Sequence, residues 1–176
     1  DKTGFWNLYR INNHREENLY LAEVEFGEAL WNFGESRFTF FSQDDQLKIA
    51  CIITIKGIDQ LAILDPEDKV LELLDLPFST FKMLNATSNS LVFQAGSPLT
   101  PNSLIEYDLK SHEFHIIKAS KSMDLDPSYL SIPESIEYTS INDDVAFAFY
   151  YPPTSSVYTG KEGELPPLIV KSHGGP

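Results

Sequence analysis

What most constrains this chain is a strand-and-turn unit that repeats. Arg37 to Ser42 reads as a strand, Gln43-Asp44-Asp45-Gln46 as a polar turn, and Lys48 to Lys56 as a second, Ile-rich strand. Gly57-Ile58-Asp59 turns the chain into a third strand, Gln60 to Leu64. Asp65-Pro66-Glu67-Asp68 is a turn by chemistry: Pro presets φ and Asp side chains bond the turn backbone. Val70 to Leu74 completes a four-stranded antiparallel meander of about forty residues. Four further short strands follow, at Phe81–Leu84, Leu91–Gln94, Leu104–Asp108 and Glu113–Lys118.

The third strands align, Gln60-Leu61-Ala62-Ile63-Leu64-Asp65 against Ser103-Leu104-Ile105-Glu106-Tyr107-Asp108, and the fourth strands follow at the same offset. An earlier copy stands at Asn7 to Asn12, with Asn18-Leu19-Tyr20-Leu21 in the fourth-strand place. Leu8, Leu61 and Leu104 are 53 and 43 residues apart. Four strands recurring at about 40 to 50 residues is the mark of β-propeller blades. A β-sandwich also uses short strands at such spacing, but two full meanders in series favour blades. The first copy lacks its first two strands, which predicts a truncation at Asp1. Propellers take about four to eight blades, so much of this one is expected to lie outside the chain.

Beyond Ser122 the style changes. Residues 1–122 read as a partial propeller of one incomplete and two full blades, and 123–134 as a connector. Residues 135–176 then read as the opening strands of a second, truncated domain. Ser135–Ser140 and Val145–Tyr151 form a hairpin around Asn142-Asp143-Asp144. Pro152-Pro153 ends it, since Pro cannot donate to a ladder. A polar loop leads to Pro166-Pro167, then an apolar strand Leu168-Ile169-Val170, then His173-Gly174-Gly175-Pro176. A strand running into a Gly-Gly turn is where an α/β-hydrolase places one backbone N–H of its oxyanion hole.

Composition excludes several roles. With 26 acidic and 13 basic residues the net charge is −13, spread along the chain. Phosphate binding needs a basic stripe, and none exists, so nucleic acid is not a partner. No apolar run approaches the roughly 18 residues of a membrane-spanning helix. Cys51 is alone, so no internal disulfide forms, and its neighbours Ile49, Ala50, Ile52 and Ile53 make it a buried small hydrophobe. No metal or other cofactor is implied.

At this point the sequence resembles the prolyl oligopeptidase family of serine peptidases, in the dipeptidyl-peptidase and acylaminoacyl-peptidase branch. The matching segments are Asp1-Lys2-Thr3-Gly4-Phe5-Trp6-Asn7-Leu8-Tyr9-Arg10, Ala95-Gly96-Ser97-Pro98 and Leu125 to Glu134. The most specific are Ala148-Phe149-Tyr150-Tyr151-Pro152-Pro153 and Gly163 to Val170 running into His173-Gly174-Gly175-Pro176. The resemblance implies blades that gate an α/β-hydrolase domain whose Ser-Asp-His triad cleaves short peptides. It assigns the oxyanion N–H to Gly175, with Gly174 beside it. No Gly-x-Ser-x-Gly occurs in this chain, so the triad is expected beyond Pro176 and the chain alone is expected to be inactive.

The remaining polar candidates read as structural. His173 is a turn-ordering residue, because hydrolase order puts the triad His after the nucleophile. His112 and His115 are surface residues that point to opposite faces of a strand, and His14 sits in a charged turn. Glu16-Glu17 falls in a turn between blade strands and is solvated; it does not match the context of the family's amine-binding Glu pair. Trp6, Phe5, Tyr9 and Trp31 suit blade core or rim, and Phe38, Phe40 and Phe41 suit interlocking blades. A non-catalytic propeller scaffold and an esterase of the same fold stand as alternatives. The expected location is cytoplasmic.

Overall fold

The computed structural model describes residues 2–29, 31 and 33–172. Its contacts divide the chain into two compact units, residues 1–124 and 125–176. The first unit is antiparallel β. A two-stranded sheet, β1 (Tyr9–Asn12) with β2 (Arg15–Asn18), is followed by two four-stranded meanders. The first meander is β3 (Phe38–Gln43), β4 (Gln46–Ile55), β5 (Ile58–Asp65) and β6 (Val70–Leu73). The second is β7 (Thr80–Ala86), β8 (Ser90–Ser97), β9 (Thr100–Asp108) and β10 (Phe114–Ala119). These are consecutive propeller blades, as the repeat predicts.

Tight turns set the register. Asn13-His14, Asp44-Asp45 and Lys56-Gly57 each join two strands with both residues at positive φ, the two-residue hairpin geometry whose twist matches the strands. The third-to-fourth strand turns are built alike in both meanders. Asp65 Oδ1 accepts the N–H groups of Glu67 and Asp68 at 2.9 and 3.0 Å. Asp108 Oδ1 accepts those of Lys110 and Ser111 at 2.8 and 2.7 Å. The aligned aspartates are therefore the same turn device used twice.

The middle sheet is covered on both sides. Side chains alternate along a strand, so Ala50, Ile52 and Leu61 enter one core with Phe81, Leu91, Phe93 and Ile105 of the second meander. Ile49, Cys51, Ile53, Ala62 and Leu64 enter the other, with Leu19 and Phe26. Glu25 bridges to Thr54 where β3 has not yet begun, through backbone bonds of 3.2 and 2.8 Å. Trp6 seats its ring on Gly27, where a Cβ would lie 2.1 Å from the ring.

Two sequence expectations shift here. Leu19 continues the β1 ladder, donating its N–H to Leu8 O at 3.0 Å, but the fourth-strand place of the first copy is Arg15–Asn18 rather than 18–21. The two-residue Asn13-His14 turn starts the return strand early. Phe41 is buried, yet Phe38 and Phe40 are 37% and 56% exposed.

In the second unit, a 3-10 turn at Pro127–Tyr129 is capped by Asp126, whose carboxylate accepts the Ser128 N–H at 2.9 Å. β11 (Glu134–Thr139) and β12 (Val145–Tyr150) pair in an antiparallel hairpin. Ser131 Oγ donates to Pro152 O at 2.7 Å where the hairpin ends. Residues 168–170 are not a strand: they form no ladder, and all three are at least 79% exposed. Apolar, β-branched composition favours a strand only when a neighbour supplies the other half of the hydrogen bonds, and none does among the described residues.

Candidate functional site

The sequence-predicted oxyanion residues Gly174 and Gly175, and the turn-ordering His173, lie outside the described residues.

The other sequence candidates are placed. Cys51 is fully buried and opposes Phe38 in the β3–β4 ladder. Burial pushes its thiol up to about 12, outweighing the opposite pull of the Arg37 charge. A thiol held protonated is not a nucleophile. His115 lies on β10 with Nε2 3.1 Å from Glu106 on the facing strand. His112 is not on that strand but in the turn before it, at φ 60°, with Nδ1 3.0 Å from the Tyr107 hydroxyl. Glu16 and Glu17 are in strand β2, not in a turn, so they take opposite faces. Glu16 pairs with Lys2, while Glu17 pairs with Arg10 at 2.8 Å and Lys69 at 3.0 Å. Hydrogen bonds from Arg10 first, then Lys69, hold the Glu17 carboxyl below its ordinary range. Each glutamate is thus occupied by cations of the same molecule. Among the described residues no cluster of three or more His, Cys, Asp or Glu side chains could hold a metal ion.

Sequence reasoning missed the polar groups at the two ends of the interface between the meanders. At one end Asp59 collects three donors. Its Oδ1 accepts from Arg37 at 3.0 Å and from Thr54 Oγ1 at 2.6 Å, and its Oδ2 accepts the Phe81 N–H of the next sheet at 3.2 Å. Arg37 and Asp59 side chains are only 10% and 16% exposed. At the other end, Lys48 pairs with Asp65, both similarly buried. The Lys48 hydrogen bond, then the Asp68 N–H, lowers the Asp65 carboxyl to about 2. Beside that pair a cavity of about 280 Å³ opens, lined also by Glu72, Leu109 and His112. A signal did exist. Period two puts Asp59 on the face of buried Leu61, and a charge on a buried face demands a partner.

No protein-family model matches this chain, and no curated protein does. Solved structures do. A puromycin hydrolase is similar over 95% of this chain at 31% identity and a TM-score of 0.83. A mutant of puromycin hydrolase complexed with PGG is similar over the same share, at 31% identity and a TM-score of 0.82. A puromycin-hydrolyzing peptidase of Mycobacterium tuberculosis is similar over 93%, at 26% identity and a TM-score of 0.83. The chain spans about a quarter of the length of each. The likeness supports the resemblance to prolyl oligopeptidase-type peptidases, with the chain matching a portion that contains propeller blades.

Proposed function

We propose that this chain is the non-catalytic front portion of a longer serine peptidase of the prolyl oligopeptidase family, one that hydrolyses short peptides. The likeness to puromycin hydrolase along 95% of the chain carries this reading. The second unit, with its hairpin running toward the apolar segment 168–170, is the start of an α/β-hydrolase domain. The Gly175 N–H, beside Gly174, faces the negative oxygen of the tetrahedral intermediate. A fixed donor stabilises that charge as it develops and needs no reorganisation to do so. His173 orders the turn. The blades restrict access by size, and the enzyme works in the cytoplasm without a cofactor.

The test is hydrolysis by the intact protein of aminoacyl and dipeptidyl amides, puromycin among them, beside small acyl esters. Amide cleavage that falls about 100-fold in Gly175→Pro, which deletes the N–H, supports the reading. An unchanged rate refutes the oxyanion role. Cleavage of esters alone makes the protein an esterase, and no cleavage leaves a propeller scaffold.

A further inference from the structure

The first strand of the second meander breaks its own pattern. Along β7, Phe81 and Leu84 are buried, three residues apart, where a regular strand returns to the same face every second residue. Lys82 opposes Gln94 and Asn85 opposes Val92, so Met83 and Leu84 share the place opposite Phe93. This is a β-bulge. Leu84 takes the buried side, and Met83 is turned out, 66% exposed at φ 54°. The Asn85 side chain donates to Met83 O at 2.9 Å and holds the bulge. Left-handed backbone is uncommon for a residue other than glycine, and glycine would hold the same bulge without the Cβ penalty. A regular strand would instead have put Met83 on the buried face of Phe81. The backbone bears strain, and what it gains is an exposed Met side chain.

The packing of the sheets says where that side chain stands. β7 packs against β3, β4 and β5 of the preceding sheet, and no comparable packing joins β6 to β10. The two sheets converge at β3 and β7 and splay toward β6 and β10, where the cavity lined by Val70, Glu72, Leu109 and His112 opens. Blades are arranged around the central channel of a propeller, so the converging edge makes β7 a channel strand. Lys82, next to Met83, lies 3.7 Å from both Glu28 and Glu35, which fastens segment 28–35 to the same strand. That segment carries Trp31 and Phe33, 68% and 93% exposed. We propose that Met83 is a specificity-determining contact in the channel, taking a bulky apolar side chain of a short peptide substrate. A flexible thioether chain adapts to such groups and makes favourable contact with aromatic rings. The inference deepens the proposed function and rests on the intact protein acting on short peptides.

Met83→Gly tests it on the intact protein, because it removes the side chain and suits the backbone. The probes are Ala-Ala-Ala and the three tripeptides in which one Ala is replaced by Phe. The ratio of kcat/KM for the best Phe tripeptide to that for Ala-Ala-Ala is expected to fall about 10-fold. The melting temperature should change little, since glycine fits a positive φ, and Met83→Leu should keep most of the ratio. No preference for a Phe tripeptide in the wild type, or a ratio unchanged in Met83→Gly, overturns the proposal. A lowered melting temperature with the ratio intact means that Met83 packs inside the protein, and overturns it too. Calorimetry with the Phe tripeptides separates this inference from the reading beneath it. Binding that weakens about 10-fold in Met83→Gly, in a protein that cleaves no peptide, would sink the peptidase reading and keep the contact. Cleavage with no dependence on Met83 does the reverse, and no binding at all overturns both.

Discussion

Asp59 is the place to break the contact between the two meanders. Asp59→Ala removes the acceptor for Arg37, for the Thr54 hydroxyl and for the Phe81 N–H at once. Arg37 is left charged and nine-tenths covered, with its Nε already lacking a partner. Stranding one member of a buried ion pair costs about 3–5 kcal/mol. Asp59→Asn should cost less, about 1–3 kcal/mol. It keeps one oxygen for Arg37 and Thr54 but turns an NH₂ toward the Phe81 N–H, donor against donor. Replacing both members, Arg37→Met with Asp59→Leu, removes the charge together with its partner and should recover most of the loss. Native-state hydrogen exchange on the intact protein, read over residues 46–65 and 80–97, measures the opening free energy of each sheet. An Asp59→Ala cost below about 1 kcal/mol, or a double variant no more stable than the single one, would refute the argument.

Three further outcomes are expected. Phe93 is fully buried with its ring 5.6 Å from Phe81, so Phe93→Ala should destabilise the blades by about 3–5 kcal/mol in urea unfolding, and a cost under 1 would misplace the core. Cys51, buried and with its thiol pushed up to about 12, should resist a maleimide at pH 8 until the protein unfolds; rapid native labelling would contradict this. The Asp65 carboxyl sits at about 2 against an ordinary 3.8, and backbone donors from Ser111 and then Lys110 lower Asp108 in the same direction. A folded pKa below the unfolded one stabilises fully above the unfolded value, and that stability is lost as pH falls from about 4 toward 2. Asp65→Asn should flatten that acid limb in a pH series of melting temperatures, and an unaltered limb would rule Asp65 out as its source.

The blades were legible because each strand announces itself locally. Turn residues such as Asp44-Asp45 and Asp65-Pro66 bracket runs of Ile, Leu and Phe, and the Asp65–Asp108 alignment carries the repeat from one sheet to the next. What failed needed knowledge of a neighbour. Leu168-Ile169-Val170 has strand composition and no ladder among the described residues. Glu16-Glu17 has turn composition and lies in a strand, because the Asn13-His14 turn before it needs only two residues. Arg37 and Asp59, 22 residues apart, meet only through pairing across the sheet. The proposed oxyanion turn rests on the motif His173-Gly174-Gly175-Pro176 alone, which lies outside the described residues.

The middle sheet, walled on both sides, has a consequence for the kinds of sequence change it can accept. Consecutive residues of β4 report to different neighbours: Ile49, Cys51 and Ile53 to one, Ala50 and Ile52 to the other. Point changes at adjacent positions should act as separate events, each felt by one partner alone. A one-residue insertion or deletion is another matter. It would hand every downstream side chain to the opposite neighbour, asking a slot shaped for Ala50 to take an Ile and leaving Ala where an Ile had filled space. This strand should therefore tolerate drift in spelling far better than drift in length.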